Sequence, residues 1–352
     1  MMLSEPWKQK LIRFPHTNLE RKHHFKSGME SSKTILGRKI YPSKIMTPNF
    51  PWQQKIKGVV RYDEPLSMHT SNRIGGPADV FILPKGLQDL QTILKNRKGF
   101  PMMILGEGSN LLFKDKGFRG IVVSLKDCFK TVHRPVFTKR SDEREIAAIR
   151  AGASVKLSYL AKYAARYSLT GIENLVGIPG SLGGSLVMNA GAEGTEIGQV
   201  IRSVKRVMGD GKIQTLKKED IKFEYRKTTY PSGEGIIIEA ELILEKGDLT
   251  MIHDTIDRHL GARSFKQPLN MPNSGSVFKN PPGNTAGRLI EEAGLKGFSI
   301  GNACVSLKHA NFIVNKGNAT AKDFLNLIKH IQSVVKEKTG KQLETEIIVV
   351  GE

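Results

Sequence analysis

Cysteine is nearly absent: Cys128 and Cys304 are the only two in 352 residues. They stand far apart, without a C-x-x-C pair or metal-ligand spacing, so a disulfide scaffold is excluded and no metal site is expected. A reducing compartment, the cytoplasm, is the natural expectation. No apolar run reaches the roughly 18 residues of a membrane-spanning helix, and 25% of the chain is charged, so no membrane insertion is expected. The first residues lack the apolar stretch of a secretory signal. Aromatics are only 7%, sparse for base-stacking platforms, and no DNA- or RNA-binding motif is recognisable. No internal repeat is visible.

What is abundant is positive charge and glycine. The formal net charge is +20, a field that attracts nucleic acid, acidic membranes and phosphorylated ligands alike. Residues 1–57 carry 12 Lys/Arg against three acidic residues and hold five prolines. They read as a basic, disordered N-terminal extension, with a binding arm for an anion as the sharper alternative. Globular patterning starts at about 58. Short apolar runs at 80–83, 102–105 and 121–125 read as buried strands. Helical spacing covers 87–94 and 157–167. A hairpin is expected around Gly209-Asp210-Gly211, then a strand over 235–244. Helices follow at 248–263, 286–292 and 321–338, with strands at 311–314 and 344–350. The division expected is an α+β part over 58–245, in two subdomains (58–126 and 127–245), and a C-terminal α/β part over 246–352.

Three stretches are too rich in glycine for ordinary strands or helices: 70–79, 106–112 and 177–192. Glycine permits positive φ and close approach of backbone to ligand, so its amides can converge on phosphate oxygens. Any one stretch could be a tight turn; three within about 120 residues favour a shared anionic ligand. The second stretch lacks the third glycine of a dinucleotide fingerprint, which argues against a Rossmann domain.

In order, the motifs are Thr70-Ser71-x-x-Ile74-Gly75-Gly76-Pro77-Ala78-Asp79, Gly106-x-Gly108-Ser109-Asn110-Leu111-Leu112 and Gly177-Ile178-Pro179-Gly180-Ser181-x-Gly183-Gly184 with Met188-Asn189-Ala190-Gly191-Ala192. Tyr225-Arg226, Gly275-Ser276-Val277-Phe278-Lys279-Asn280-Pro281 and Glu344-Thr345-Glu346 follow. This series resembles the MurB family of UDP-N-acetylenolpyruvoylglucosamine reductases over about residues 60–350. The resemblance implies a vanillyl-alcohol-oxidase-type (PCMH-type) FAD-binding domain with a C-terminal substrate domain, non-covalent FAD, NADPH as reductant and a UDP-sugar substrate. About 50 residues separate Arg226 from Ser276, which matches the shorter, type II branch and leaves no counterpart for the longer branch's substrate-clamping tyrosine.

The resemblance assigns Ser276 as proton donor, Arg226 as the residue that holds the substrate carboxylate and stabilises enolate charge, and Glu346 as a carboxyl group that must be protonated, hence partly buried. Glu344, two residues away, competes for that role. Cofactor contacts are expected from Arg73, Gly75, Gly76, Gly106, Gly108, Ser109, Asn110, Gly177, Gly180, Ser181, Gly183, Gly184, Asn189, Ala190 and Gly191. Substrate contacts are expected from Tyr225, Lys266, Asn280 and His309. Another FAD-dependent oxidoreductase of the same fold and a basic nucleic-acid-binding protein are the rival readings. No specific nucleic-acid partner is expected, and a monomer is the default expectation.

Overall fold

The computed structural model describes residues 51–97, 99–231 and 235–352. Residues 1–50 of the expected extension lie outside that range. Its last part is core: Pro51–Lys55 forms a 3₁₀ turn, and Trp52, 6% exposed, packs beside Ile82, Ile93 and Val123. Seven helices are present among the described residues: α1 (Leu87–Asn96), α2 (Leu157–Ala165), α3 (Leu182–Met188), α4 (Ile197–Val200), α5 (Leu249–Lys266), α6 (Ala286–Glu292) and α7 (Ala321–Thr339). None is long and apolar enough to cross a membrane.

The first layer is a four-stranded sheet in the order Val59–Pro65, Pro77–Leu83, Phe118–Ser124, Met102–Leu105. The last three strands run parallel. Val80 and Ile82 enter one core while Phe81 and Leu83 enter another. A strand buried on both faces reads as the continuous apolar run found in its sequence. The second layer is a larger antiparallel sheet around the twelve-residue strand Gly235–Lys246, flanked by Ile201–Met208 and Glu145–Gly152. Against it lies α2, whose Leu157, Leu160, Ala161, Ala164 and Ala165 are buried at helical spacing.

The third layer, near the C-terminus, is a four-stranded sheet in the order Asn273–Ser276, Phe312–Asn315, Ala303–Val305, Ser299–Ile300, with α6 and α7 in its core. The alternation of helices and strands suggested α/β, yet every pairing here is antiparallel, so the layering is α+β. Two further features depart from the expected division at 246. Helix α5 buries Ile252 and Ile256 in the second-layer core, not the third. The final strand, Ile348–Val350, leaves the third layer and pairs parallel with Leu111–Phe113, the continuation of the second glycine-rich stretch. Asp115 adds a tie by accepting from the amides of Ala321 and Lys322, two of the orphan donors at the start of α7.

Candidate active site

The three glycine-rich stretches meet at Gly106–Asn110. The Ser71 amide donates to the Gly108 carbonyl at 3.1 Å, and the Ser109 hydroxyl donates to the Pro179 carbonyl at 2.9 Å. Gly108 takes φ +64, and a Cβ there would stand 2.1 Å from the His69 carbonyl oxygen. Gly180 takes φ +143, with an ideal Cβ 3.5 Å from the Ser109 hydroxyl. Among the described residues, none of the five consecutive amides from Gly106 to Asn110 donates to a protein acceptor. A run of unpaired, glycine-bearing amides is the donor set that binds phosphate, so this loop fits the pyrophosphate of FAD.

Other glycines of these stretches are required by packing. A Cβ at Gly76 would lie 2.1 Å from the Asp115 carbonyl oxygen, and one at Gly75 would lie 2.9 Å from the Phe113 Cβ. The Gly183 amide donates to the Ala153 carbonyl, and the Gly184 amide to the Ser181 hydroxyl that caps α3. Asn189 is fully buried; its side chain donates to Glu196 and the Glu224 carbonyl and accepts from the Gly198 amide. The Ala190 amide and carbonyl are also engaged. This end of the third stretch therefore supports the neighbouring hairpin. Arg73 is exposed, in the left-handed region at φ +56.

That hairpin joins Lys222–Glu224 to Lys227–Thr229 with Tyr225 and Arg226 at its tip. Arg226 takes φ +55. Its Nε donates to Glu346 Oε1 at 2.9 Å and its Nη2 to the Gly191 carbonyl at 3.0 Å. Its Nη1 has no protein acceptor among the described residues. The half-exposed Tyr225 ring lies 4.7 Å from the guanidinium, a cation–π contact. Glu346 reaches this point from 120 residues away, held by its own backbone. Its amide donates to the Val277 carbonyl at 2.8 Å, one residue beyond Ser276. Its carbonyl accepts from the Asn110 side chain at 3.2 Å.

Both members of the Arg226–Glu346 pair are less than a fifth exposed. Burial pushes the Glu346 carboxyl above its usual range, and the nearby charges of Arg226 and Lys279 offset only part of that rise. Oε1 accepts from Arg226, while Oε2 has no protein partner among the described residues and can carry a proton. Glu344 differs: it is 74% exposed and paired with Lys279 at 3.2 Å. Of the two glutamates, only Glu346 is part-buried against Arg226.

The expected substrate contacts are less uniform. Asn280 is exposed, and its Oδ1 accepts from the Ala286 amide at the start of α6. Lys266 is exposed at the end of α5. His309 is half-buried beside Gly287 and Phe312. Its Nδ1 accepts from the Asn311 amide, so the neutral ring carries its proton on Nε2. Burial depresses its basicity.

Two family models match the chain: "FAD binding domain" over residues 78–217 and "UDP-N-acetylenolpyruvoylglucosamine reductase, C-terminal domain" over residues 267–350. The reductase of that name from Listeria welshimeri is 44% identical over 295 residues, covering 83% of this chain and 96% of the relative. That from Caldanaerobacter subterraneus is 44% identical over 298 residues, covering 84% and 95%. The chain belongs to the UDP-N-acetylenolpyruvoylglucosamine reductase (MurB) family. The crystal structure of the MurB protein from Thermus caldophilus superposes with a TM-score of 0.70 at 34% identity, over 84% of this chain and all of that one.

One cation of this MurB-family site escaped the sequence reading. Arg263, on the last turn of α5, is half-buried and donates to the Gly177 carbonyl and to Gln267. It has no carboxylate partner among the described residues, and burial lowers its pKa. Its only signal in the sequence is its place three residues before Lys266. By contrast, a hollow of about 570 Å³ lies elsewhere, lined by residues such as Arg140, Ile146, Arg202, Ile243 and Glu245. It includes none of the expected site residues, and Arg140 is paired there with Glu245.

Proposed function

We propose that this MurB-family chain reduces UDP-N-acetylglucosamine enolpyruvate to UDP-N-acetylmuramate, with NADPH as reductant and non-covalent FAD, in peptidoglycan precursor synthesis. The observation that carries the reading is the part-buried Arg226–Glu346 pair at 2.9 Å, one residue beyond Ser276 along the backbone contacts. Bound FAD would supply the hydride chemistry, accepting hydride from NADPH and delivering it to the enolpyruvyl double bond. The Gly106–Asn110 amides, with Ser109 and Gly180 beside them, would hold its pyrophosphate. Arg263, a cation without an acid partner, would face an anionic group of the same ligand.

Arg226 keeps Nη1 for the substrate carboxylate, while Nε and Nη2 fix its plane on Glu346 and Gly191. A guanidinium so anchored binds the carboxylate and gains strength as enolate charge develops. The raised pKa of Glu346 keeps a proton on its carboxyl at higher pH than a solvated glutamate would. From there it hydrogen-bonds the substrate carboxylate and spreads the enolate charge that Arg226 also meets, and it remains on Glu346 when the carbon is protonated. Ser276, on the strand beside Glu346, donates the proton that completes the saturated carbon. His309 Nε2, Asn280, Lys266 and Tyr225 are the proposed contacts to the UDP-sugar. The working unit proposed has a flavin-binding part that includes α5 and a substrate-binding part from about residue 267. A cytoplasmic setting suits both thiols being free and buried, and a monomer suffices because every named residue lies on one chain.

The test is spectroscopic. The purified protein should carry a flavin spectrum that NADPH bleaches and UDP-N-acetylglucosamine enolpyruvate restores under anaerobic conditions. A bleached flavin that the enolpyruvyl sugar leaves bleached would reject the substrate. A colourless protein that binds oligonucleotides with a steep salt dependence would reject the enzyme.

A further inference from the structure

Asn72 lies in the first glycine-rich stretch, is fully buried and serves three other segments. Its Nδ2 donates to the Ser274 hydroxyl at 2.7 Å and to the Leu111 carbonyl at 2.9 Å. Its Oδ1 accepts from the Ile74 amide at 2.9 Å, and its backbone carbonyl accepts from the Asn315 side chain at 3.0 Å. Leu111 follows the phosphate-binding loop, and Asn315 ends the strand that pairs with Asn273–Ser276. Next door, the Ser71 hydroxyl donates to the Asn273 carbonyl at 2.6 Å.

The strand being gripped is irregular. Asn273 pairs with Val314 and Ser276 with Phe312, so three steps on one strand face two on the other. Gly275 absorbs the difference at φ +74, its amide donating to Asn273 Oδ1 at 2.9 Å. A bulge of this kind re-aims the side chain that follows it, here Ser276. An unsupported bulge can relax toward regular pairing. We propose that Asn72 is a positioning residue: its carboxamide locks the Ser274–Gly275 bulge onto the flavin-side loops and so fixes where Ser276 delivers its proton. The inference rests on Ser276 being the proton donor. Serine is a weak acid whose usefulness depends on position, and a displacement of about 1 Å can cost ~100-fold.

The test uses Asn72→Ala and Ser274→Ala, which break the lock from either side, in the full-length holoprotein. FAD content, its dissociation constant and bleaching by NADPH should stay within about twofold, and reoxidation by the enolpyruvyl substrate should slow about 10- to 100-fold. The solvent deuterium isotope effect on reoxidation should rise, and amides 273–276 should exchange hydrogen faster. In a Ser276→Ala background Asn72→Ala should add less than about twofold, because two changes acting through one group are not additive. Full additivity there, or unchanged reoxidation in both single variants while Ser276→Ala is slow, overturns the role of Asn72. Normal reoxidation in Ser276→Ala itself overturns the proton-donor assignment, and the inference with it. Should Asn72→Ala fail to fold, Ser274→Ala, which removes one hydroxyl, carries the same cycle.

Discussion

Arg226→Lys keeps the charge and the backbone but not the fork. Arginine uses two nitrogens to hold Glu346 at 2.9 Å and the Gly191 carbonyl at 3.0 Å and keeps a third free. A lysine ammonium at the same hairpin tip presents all three donors from one atom. It cannot keep both anchors and meet a substrate carboxylate, so at least one charge-assisted bond is lost. Such a bond contributes about 1.5–3 kcal/mol, which converts to roughly 10- to 150-fold in kcat/KM at 1.4 kcal/mol per tenfold. The proposed carboxylate contact would exist in the ground state and tighten as enolate charge develops, so the loss should divide between KM and kcat. Steady-state kinetics with the enolpyruvyl substrate, normalised to bound FAD, measure it. A variant with normal FAD content and kcat/KM within threefold of wild type would mean that Arg226 only braces the hairpin, and the proposed carboxylate role would fall.

If Glu346 acts protonated, as proposed, reoxidation by substrate should decline as pH rises through its raised pKa; Lys279→Met removes a charge that lowers that pKa and should move this limb to higher pH. The same shift acts on stability: a carboxyl whose folded pKa is raised stabilises the fold below the ordinary value of 4.5 and loses that contribution as pH climbs through the folded value. Unfolding midpoints of wild type and Glu346→Gln, taken across that window, should move in the variant's favour as pH rises. Gly108→Ala adds a Cβ 2.1 Å from the His69 carbonyl in a left-handed backbone; a cost of about 1–3 kcal/mol and lost FAD are expected, read by denaturant melts and flavin absorbance. Trp52→Ala should cost about 3–5 kcal/mol in unfolding free energy, whereas deletion of residues 1–50 should leave FAD content and turnover unchanged. Arg263→Met should raise the FAD dissociation constant, measured by flavin fluorescence on reconstitution of apoprotein, without shifting the pH limb assigned to Glu346.

Much of the site was legible because its requirements are local. Positive φ at Gly108 and Gly180 can be met cheaply only by glycine, so the backbone writes itself into the sequence. Helices α2 and α7 announce themselves by apolar spacing, and α7 also by its Thr320–Asp323 capping box and by Gly340 at φ +67. What stayed hidden depends on distant partners. Gly76 reads like a ligand-facing glycine, yet it is required by the carbonyl of Asp115. Asn189 sits in a glycine-rich stretch, but its amide is engaged by Glu196, Glu224 and Gly198. Helix α5 follows the expected boundary in sequence and packs before it in space, because Ile252 and Ile256 find their cavity in the second layer. Asn72 is one polar residue in a polar stretch until Leu111, Ser274 and Asn315 are brought around it.

The choice between Glu344 and Glu346 turns on the same distinction. Read as one strand from 344 to 350, the two glutamates share a face and are equivalent. The strand begins only at Ile348. Thr345 bridges to Phe278, and the Glu346 amide is drawn to the Val277 carbonyl, so the alternation is broken. One carboxyl is left in solvent against Lys279 and the other beneath Arg226. From there the chain runs straight into the phosphate-binding loop: the Asn110 side chain donates to the Glu346 carbonyl, and the Ile348 amide to the Asn110 carbonyl. The residue proposed to hold a proton and the loop proposed to hold the cofactor are thus adjacent on one hydrogen-bonded ladder. On the proposed roles, a shift of the loop that moved the flavin would move Glu346 with it and would keep hydride and proton delivery in register although the two residues so joined lie more than 200 positions apart.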